Sequence, residues 1–198
     1  MAAILVVCTG NVCRSPIAEG AIRASLLARF GGSAPDVASA GTAGWEGSGA
    51  DPGSVEAAAE RGIDISRHRA RGIEPGDVAE ASLVVAMSGE HREQVARLVP
   101  EASARTFTLK ELVRLLETRP ARNAGVEPLS LLRARVAEAS ELRRDGFEGN
   151  PLDEDVGDPL GMPFEVFRAI AGELEEWCGR LAEGLFGRAP ARARAGGD

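Results

Sequence analysis

The stretch Ile4-Leu5-Val6-Val7-Cys8-Thr9-Gly10-Asn11-Val12-Cys13-Arg14-Ser15-Pro16 decides the fold. Its apolar, largely β-branched start predicts a parallel strand over residues 3–7 that is covered on both faces. A helix is predicted from Pro16, with Ser15 as its N-cap and the proline at its first position. The stretch therefore predicts a strand, a tight loop and a helix in immediate succession.

The loop between this strand and this helix begins at Cys8 and ends at Arg14, with five residues between them. A loop this short can turn backbone N–H groups toward one phosphate, and the helix N-terminus adds positive potential. The planar fork of Arg14 can hold two phosphate oxygens, and the positive potential favours the nucleophilic thiolate of Cys8. The pattern predicts a phosphate-binding loop with its own nucleophile. A buried cysteine in an ordinary strand-to-helix turn is the alternative.

Residues inside the loop agree with the phosphate-binding prediction. Gly10 and Asn11 tolerate the left-handed backbone angles that a tight loop requires. Ser15 is expected to donate a hydrogen bond to the sulfur of Cys8. The predicted phosphate-binding residues are Thr9, Gly10, Asn11, Val12, Cys13, Arg14 and Ser15.

The rest of the chain alternates between apolar runs and segments with helical periodicity. Further strands are predicted at residues 37–40, 83–87 and 106–108, and helices at about 52–61, 90–98, 109–116 and 164–185. This alternation predicts a single α/β domain with a doubly wound parallel sheet. The predicted domain spans 1–187 with a helical insertion at about 117–150, and an Ala/Arg/Gly-rich tail at 188–198 is expected to be disordered.

Composition narrows the classes of function. The net charge of −7 over 198 residues argues against binding to nucleic acid or to an anionic membrane. The apolar runs are too short to cross a bilayer and the first residues lack a charged signal-peptide region, so a cytoplasmic location is expected. An odd number of cysteines, three, fits a reducing compartment. The cysteine spacing and the two histidines do not suit a zinc site, so neither a metal nor a cofactor is expected.

The stretch from Cys8 to Glu19 resembles the signature of the low-molecular-weight protein tyrosine phosphatases. The resemblance implies a four-stranded parallel sheet, a phosphocysteine intermediate and no metal. It also implies a hydrogen-bonded set that supports the loop, made by Asn11, Ser15, Ser39 and His68. It continues through Ser39-Ala40-Gly41-Thr42, Trp45, Asp51-Pro52, Gly62-Ile63-Asp64, His68-Arg69-Ala70-Arg71, Val84-Val85-Ala86-Met87, Asp158-Pro159 and the last helix.

A phosphatase also needs an acid for the leaving group and a base for the attacking water, and one carboxyl group can serve in turn as both. The acidic loop offers Asp153, Glu154, Asp155 and Asp158. The residues alone leave the choice open. The resemblance implies Asp158, which a proline follows, and Asp155 is the second choice.

Three further positions bear on the substrate. Trp45 and Leu160 are expected to line the mouth of the pocket. Family members often carry aromatic residues after the Asp-Pro pair, so recognition through Leu160 is expected to be looser. Val12 lies where arginine phosphatases of this group carry threonine, which favours an aryl ester.

The remaining cysteines and the second histidine receive weaker assignments. The resemblance implies a reversible disulfide between Cys8 and Cys13, while a small buried residue is the alternative for Cys13. Cys178 is expected in the core, and His91 on the surface of a helix.

These patterns together predict a phosphomonoester hydrolase, a protein tyrosine phosphatase with Cys8, Arg14 and Asp158 as catalytic residues. The expected partner is a phosphotyrosine protein or a small aryl phosphate, and no oligomeric state is predicted. One alternative is an arsenate reductase on the same scaffold, which would need thiols that relay near the loop. The other is a phosphopeptide-binding module with weak catalysis.

Overall fold

The computed structural model describes residues 2–121, 126–146 and 153–188. Four parallel strands form one sheet in the order β2-β1-β3-β4. They are β1 (Ile4–Cys8), β2 (Val37–Gly41), β3 (Leu83–Ala86) and β4 (Thr106–Thr108). The sheet extends on both sides of β1, which confirms the doubly wound, four-stranded prediction.

Seven α-helices lie in the described residues: α1 (Arg14–Phe30), α2 (Pro52–Ala59), α3 (Pro75–Glu80), α4 (Gly89–Leu98), α5 (Leu109–Glu117), α6 (Pro128–Arg144) and α7 (Phe164–Phe186). Two 3-10 turns occur at Gly31–Ser33 and Pro100–Arg105. Helix α3 was not predicted, because its six residues are too short to show a helical period. Helix α6 lies within the predicted insertion, and residues 189–198 of the predicted tail lie outside the described residues.

The central strand is buried on both faces because its alternating side chains enter two different cores. Ile4 and Val6 belong to the larger core, which α1, α5 and α7 cover. Leu5 and Val7 belong to a smaller core beneath α3 and α4. The run of apolar residues in β1 therefore reflects two-sided burial and not an exposed edge.

The start of α1 differs from the prediction. The helix begins at Arg14, and the N-cap position is Cys13, without a side-chain capping bond. Ser15 therefore lies in the first turn and is not the N-cap. Its hydroxyl instead lies between the sulfur of Cys8 and the amide of Asn11, which places it in the site.

The carboxyl ends of β1 and β3 meet at one edge of the sheet, where α/β proteins bind their ligands. Cys8 is the last residue of β1, and Ser88 follows β3 by two positions. None of the helices in the described ranges is both long and apolar enough to span a membrane.

Candidate active site

The backbone of the loop after β1 has its carbonyl groups turned outward. The segment between β2 and α2 donates to four of them: Thr42 N to Cys8 O (2.9 Å), Ala43 N to Thr9 O (3.0 Å), Trp45 N to Gly10 O (3.1 Å) and Asp51 N to Val12 O (2.8 Å). His68 Nε2 donates to the fifth, Asn11 O, at 2.7 Å. In a trans peptide the N–H points opposite to the carbonyl, so the N–H groups face inward. In residues 2–121, 126–146 and 153–188, the N–H groups of residues 10–13 find no acceptor, which leaves them for an oxyanion.

Cys8 lies at the base of the cradle that these N–H groups form, and the residue as a whole is 2% exposed. Ser15 Oγ is 2.9 Å from Cys8 Sγ and also accepts from Asn11 Nδ2 at 2.9 Å. Because Asn11 already supplies a proton to that oxygen, the hydroxyl proton of Ser15 is available to the sulfur.

Asn11 holds the shape of the loop. Its backbone has φ 56°, a left-handed angle that asparagine accepts better than most residues. Its Nδ2 also donates to Ser39 Oγ (2.8 Å), and its Oδ1 accepts from the N–H of Arg71 (3.0 Å). Asn11, Ser15, Ser39 and His68 are thus joined by hydrogen bonds around the loop.

Arg14 connects the loop to the acidic segment. Its Nη2 donates to Thr9 Oγ1 (3.3 Å) and to Asp158 Oδ2 (2.6 Å), and its Nη1 donates to Val156 O (3.2 Å). The Nε of Arg14 is buried and has no hydrogen-bond partner in the part of the chain that the structure describes. A buried N–H without a partner is costly, so this edge of the guanidinium is arranged for a ligand that accepts hydrogen bonds.

The acidic segment is fixed at several points before it reaches Asp158. Val156 N donates to Met87 O (2.8 Å), and Asp155 Oδ1 accepts from Gly89 N (2.8 Å). Lys110, the single lysine of the chain, donates to Asp155 O at 3.0 Å. Asp158 itself is only half-buried, and its Oδ1 accepts from Leu160 N at 3.2 Å. Asp155, the second choice for the acid, is used as an anchor.

Large apolar side chains are exposed near the site. Trp45 is 50% exposed and lies against Gly10, while Leu160 and Met162 follow Asp158 and are 42% and 51% exposed. Val12, in the loop, is buried. We expect Trp45 and Leu160 to contact the leaving group of a substrate.

The other two cysteines are buried and unpaired, like Cys8. Burial raises the pKa of the Cys13 thiol to about 12 and that of the Cys178 thiol to about 12. Cys178 lies on α7 and is buried in the larger core, as predicted. Both thiols are therefore protonated at neutral pH, which makes them weak nucleophiles.

His91 is not on the surface, contrary to the sequence-based prediction. It is 3% exposed, and its ring nitrogens lie 2.7 Å from Ser88 Oγ and 2.9 Å from Thr9 Oγ1. The prediction was wrong because the burial of His91 depends on contacts of its ring with Thr9 and Ser88, and the sequence of α4 does not show them. The position of His91, one turn after the carboxyl end of β3, was the available signal.

No group of three His, Cys, Asp or Glu side chains within the described ranges is arranged to hold a metal ion. The site consists of a buried cysteine under an anion cradle, with an arginine and a carboxylate beside it. This arrangement on a parallel α/β sheet defines a cysteine-dependent phosphatase.

Comparisons with known proteins agree. Residues 3–122 match the family model described as low molecular weight phosphotyrosine protein phosphatase. A protein-arginine-phosphatase from Geobacillus stearothermophilus is 33% identical over 182 residues, which cover 92% of this chain and 95% of that protein. A probable low molecular weight protein-tyrosine-phosphatase, EpsP, from Ralstonia nicotianae is 39% identical over 109 residues, which cover 55% of this chain and 71% of that protein.

Among solved structures, a low molecular weight protein tyrosine phosphatase from T. tengcongensis matches with a TM-score of 0.67 and 35% identity. The match covers 92% of this chain and 99% of that one. The chain belongs to the low molecular weight phosphotyrosine protein phosphatase family, and it is an enzyme of that class.

Proposed function

We propose that this enzyme hydrolyses phosphotyrosine in proteins, or small aryl phosphates, through a phosphocysteine intermediate. Cys8 attacks phosphorus while the oxygen–phosphorus bond to the leaving group breaks. Arg14 and the inward N–H groups hold the three remaining oxygens, and Asp158 protonates the leaving oxygen. Asp158 then takes a proton from the water that releases phosphate from sulfur.

The buried Nε of Arg14, without a partner among the described residues, is the observation that carries this proposal. It lies on the same guanidinium as the Nη2 that contacts Thr9 and Asp158. A phosphate that accepts from Nε and Nη2 forms the bidentate pair that arginine makes best. The incoming dianion then competes with Asp158 for Nη2, and the displaced carboxyl group is left beside the leaving oxygen.

The apolar character of the site mouth supports an aryl leaving group. Trp45 and Leu160 present exposed apolar surface, and Val12 carries no hydroxyl to hydrogen-bond a guanidine. These three residues favour phosphotyrosine over a substrate with several N–H donors on its leaving group.

Phosphoarginine is the second candidate substrate, because the relative from Geobacillus stearothermophilus that aligns along nearly the whole chain is a protein-arginine-phosphatase. The two substrates are distinguished with peptides of one sequence that carry either phosphotyrosine or phosphoarginine at the same position. We expect kcat/KM to favour the phosphotyrosine peptide by about 10-fold or more, in the range that pocket complementarity provides. In Val12→Thr the ratio should move toward phosphoarginine, and Val126→Thr, far along the chain, is the matched control. A wild-type preference for phosphoarginine would overturn the aryl assignment.

The arsenate reductase and the binding module receive less support. Arsenate reduction needs thiols that can relay, and Cys178 is buried in α7, 3.9 Å from the carbonyl of Ala18. A binding module without catalysis would not need Asp158 paired to Arg14. We further propose a cytoplasmic location and a single catalytic domain over residues 1–187, both from the sequence pattern.

A further inference from the structure

His91 joins the phosphate loop to the sheet edge at the end of β3. Its Nδ1 lies 2.7 Å from Ser88 Oγ, and its Nε2 lies 2.9 Å from Thr9 Oγ1. Thr9 Oγ1 in turn accepts from Arg14 Nη2 at 3.3 Å, and the same Nη2 donates to Asp158. One continuous chain of hydrogen bonds therefore runs from Ser88 through the imidazole to the group that grips phosphate.

The hydrogen bonds favour one tautomer of His91, because a proton on Nδ1 would leave the hydroxyl proton of Ser88 without an acceptor among the described residues. Ser88 Oγ already accepts from the backbone N–H of His91 (3.3 Å), so the serine proton is available for Nδ1. Nε2 then carries the imidazole proton and donates it to Thr9 Oγ1. Because His91 and Arg14 both donate to Thr9 Oγ1, the hydroxyl proton of Thr9 is free to point toward a phosphate bound by the loop.

We propose that neutral His91 is a positioning residue that acts through Thr9: it orients the threonine hydroxyl to accept from Arg14 and to donate to a substrate phosphate oxygen. This inference rests on the proposed function, because it assumes that Arg14 and the loop bind phosphate. His91 does not touch substrate. It fixes the orientation of the Thr9 hydroxyl, which then accepts a hydrogen bond from Arg14 and donates one to phosphate.

Burial and the positive charge of Arg14 keep the ring neutral against the nearby carboxylates. Arg14 from α1 faces it, and Glu90 on α4, Asp155 and Asp158 are the nearby carboxylates. Burial is the larger cause and Arg14 the second in lowering the pKa of His91 to about 4. A second proton on the ring would make Nδ1 a hydrogen-bond donor, so Nδ1 could no longer accept a hydrogen bond from Ser88.

Two substitutions test the contacts of the two ring nitrogens of His91 one at a time. His91→Asn places an amide near the position of Nδ1 and retains the contact to Ser88, but it does not reach Thr9. His91→Gln extends to the position of Nε2 and can still donate to Thr9. We expect His91→Asn to raise the dissociation constant of inorganic phosphate by about 10-fold, the value of one hydrogen bond beside a charged group. His91→Gln should restore most of that loss.

A double-mutant cycle tests whether His91 acts through Thr9. Thr9→Val removes the shared hydroxyl, and Thr9→Ser retains it as the matched control. We expect His91→Asn to cause no further loss of phosphate affinity in the Thr9→Val background. Equal losses in both backgrounds would overturn the proposal, because a merely structural role of His91 would persist without the hydroxyl.

Phosphate binding is measured by calorimetry on the Cys8→Ser background, so the result does not depend on which ester the enzyme hydrolyses. If the wild type fails to hydrolyse phosphotyrosine while the cycle behaves as expected, the proposed function fails and the positioning role stands. If hydrolysis occurs but the affinities of His91→Asn and His91→Gln are equal, the positioning role fails alone.

A measurement on the wild type avoids any folding defect of the variants. The chain has two histidines, so nitrogen-15 NMR resolves both rings. At pH 7 we expect His91 to be neutral with its proton on Nε2, and its nitrogen shifts to change when inorganic phosphate is added. A protonated ring, an Nδ1–H tautomer or shifts that ignore phosphate would each overturn the proposal.

Discussion

The phosphate loop and the acidic segment both serve the site, but they are held in different ways. Residues 8–15 are contiguous in sequence, mostly buried, and fixed by outward carbonyl bonds to the segment between β2 and α2 and to His68. Residues 153–160 lie far along the chain and are largely exposed, and Asp158 itself is half-buried. Bonds to three parts of the chain, namely α1, the β3–α4 connection and α5, fix the acidic segment through Arg14, Met87, Gly89 and Lys110.

This difference indicates which residues determine phosphate binding and which determine protonation of the leaving group. In the proposed mechanism the loop binds phosphate through backbone geometry, so its requirements appear as a short local pattern of Cys8, Gly10, Asn11 and Arg14. The proposed acid is one carboxyl group whose position depends on distant contacts. Substitutions in the loop should therefore remove binding and catalysis together, whereas those in the acidic segment should mainly affect leaving-group protonation.

Arg14 is shared by the two regions, so Arg14→Lys should reduce activity more than a substitution confined to either region. Lysine provides neither the second donor for phosphate nor the simultaneous bonds to Thr9 and Val156. We expect kcat/KM on p-nitrophenyl phosphate to fall by about 10²- to 10³-fold. Steady-state kinetics measures this, with Arg97→Lys on the exposed face of α4 as the matched control. A loss of less than about 10-fold would mean that the backbone N–H groups of the loop bind phosphate without the guanidinium of Arg14.

Asp158→Asn should separate the acidic segment from the loop. The amide cannot protonate a leaving group, so kcat/KM should fall by about 10²-fold for phenyl phosphates with poor leaving groups. Esters with acidic phenols should lose far less. The slope of log kcat/KM against leaving-group pKa reports this, and Asp145→Asn after α6 is the control. A uniform loss across the series would assign the acid role elsewhere.

Gly41→Ala tests how tightly the loop is enclosed. A Cβ at Gly41 would lie 2.5 Å from Thr9 O and 3.0 Å from Asn11 N, so the loop backbone would have to move. We expect a loss of about 1–3 kcal/mol in the free energy of unfolding together with weaker phosphate binding. Gly49→Ala, where an added Cβ meets nothing within 4 Å, should change neither. Denaturant unfolding with and without phosphate makes the comparison.

Lys110→Met should loosen the acidic segment while the loop stays intact. Lys110 Nζ contacts Asp155 O, Asp153 Oδ1 (3.2 Å) and Glu173 Oε1 (2.7 Å). We expect about a 10-fold loss of kcat on poor leaving groups, since a hydrogen bond to a charged group contributes ~1.5–3 kcal/mol. The dissociation constant of inorganic phosphate should not change. A parallel loss of phosphate affinity would show that the two regions are not separable in this way.

His91 should also give a pH dependence of stability. Its folded-state pKa is lowered from 6.5 to about 4, so the unfolded chain binds the proton more readily between these values. The stabilisation is therefore complete above about pH 6.5 and is lost as pH falls toward 4, at no more than about 1.4 kcal/mol per pH unit. His91→Gln should remove this part of the slope. Identical slopes for wild type and variant would contradict the buried neutral imidazole.

The sequence predicted the sheet, the loop and the nucleophile because each depends on local periodicity or on contiguous residues. It misplaced the start of α1, because Ser15 has the residue type of an N-cap while its hydroxyl is engaged by Cys8 and Asn11. It missed His91 because the burial of that side chain depends on the packing of α4 against the loop. Asp158 was chosen through the resemblance, since its neighbours in sequence carry equal charge.

The most direct test of the central claim, that phosphate passes through the sulfur of Cys8, uses Asp158→Asn with p-nitrophenyl phosphate. This leaving group departs without help, but the second step lacks its base, so the intermediate should accumulate. We predict a burst of about one p-nitrophenolate per enzyme and one phosphoryl group on the Cys8 peptide by mass spectrometry after rapid denaturation at alkaline pH, where the phosphorus–sulfur bond persists. Both signals should vanish when Cys8→Ala is added. Turnover without a burst, or a phosphoryl group on any other residue, would contradict the mechanism.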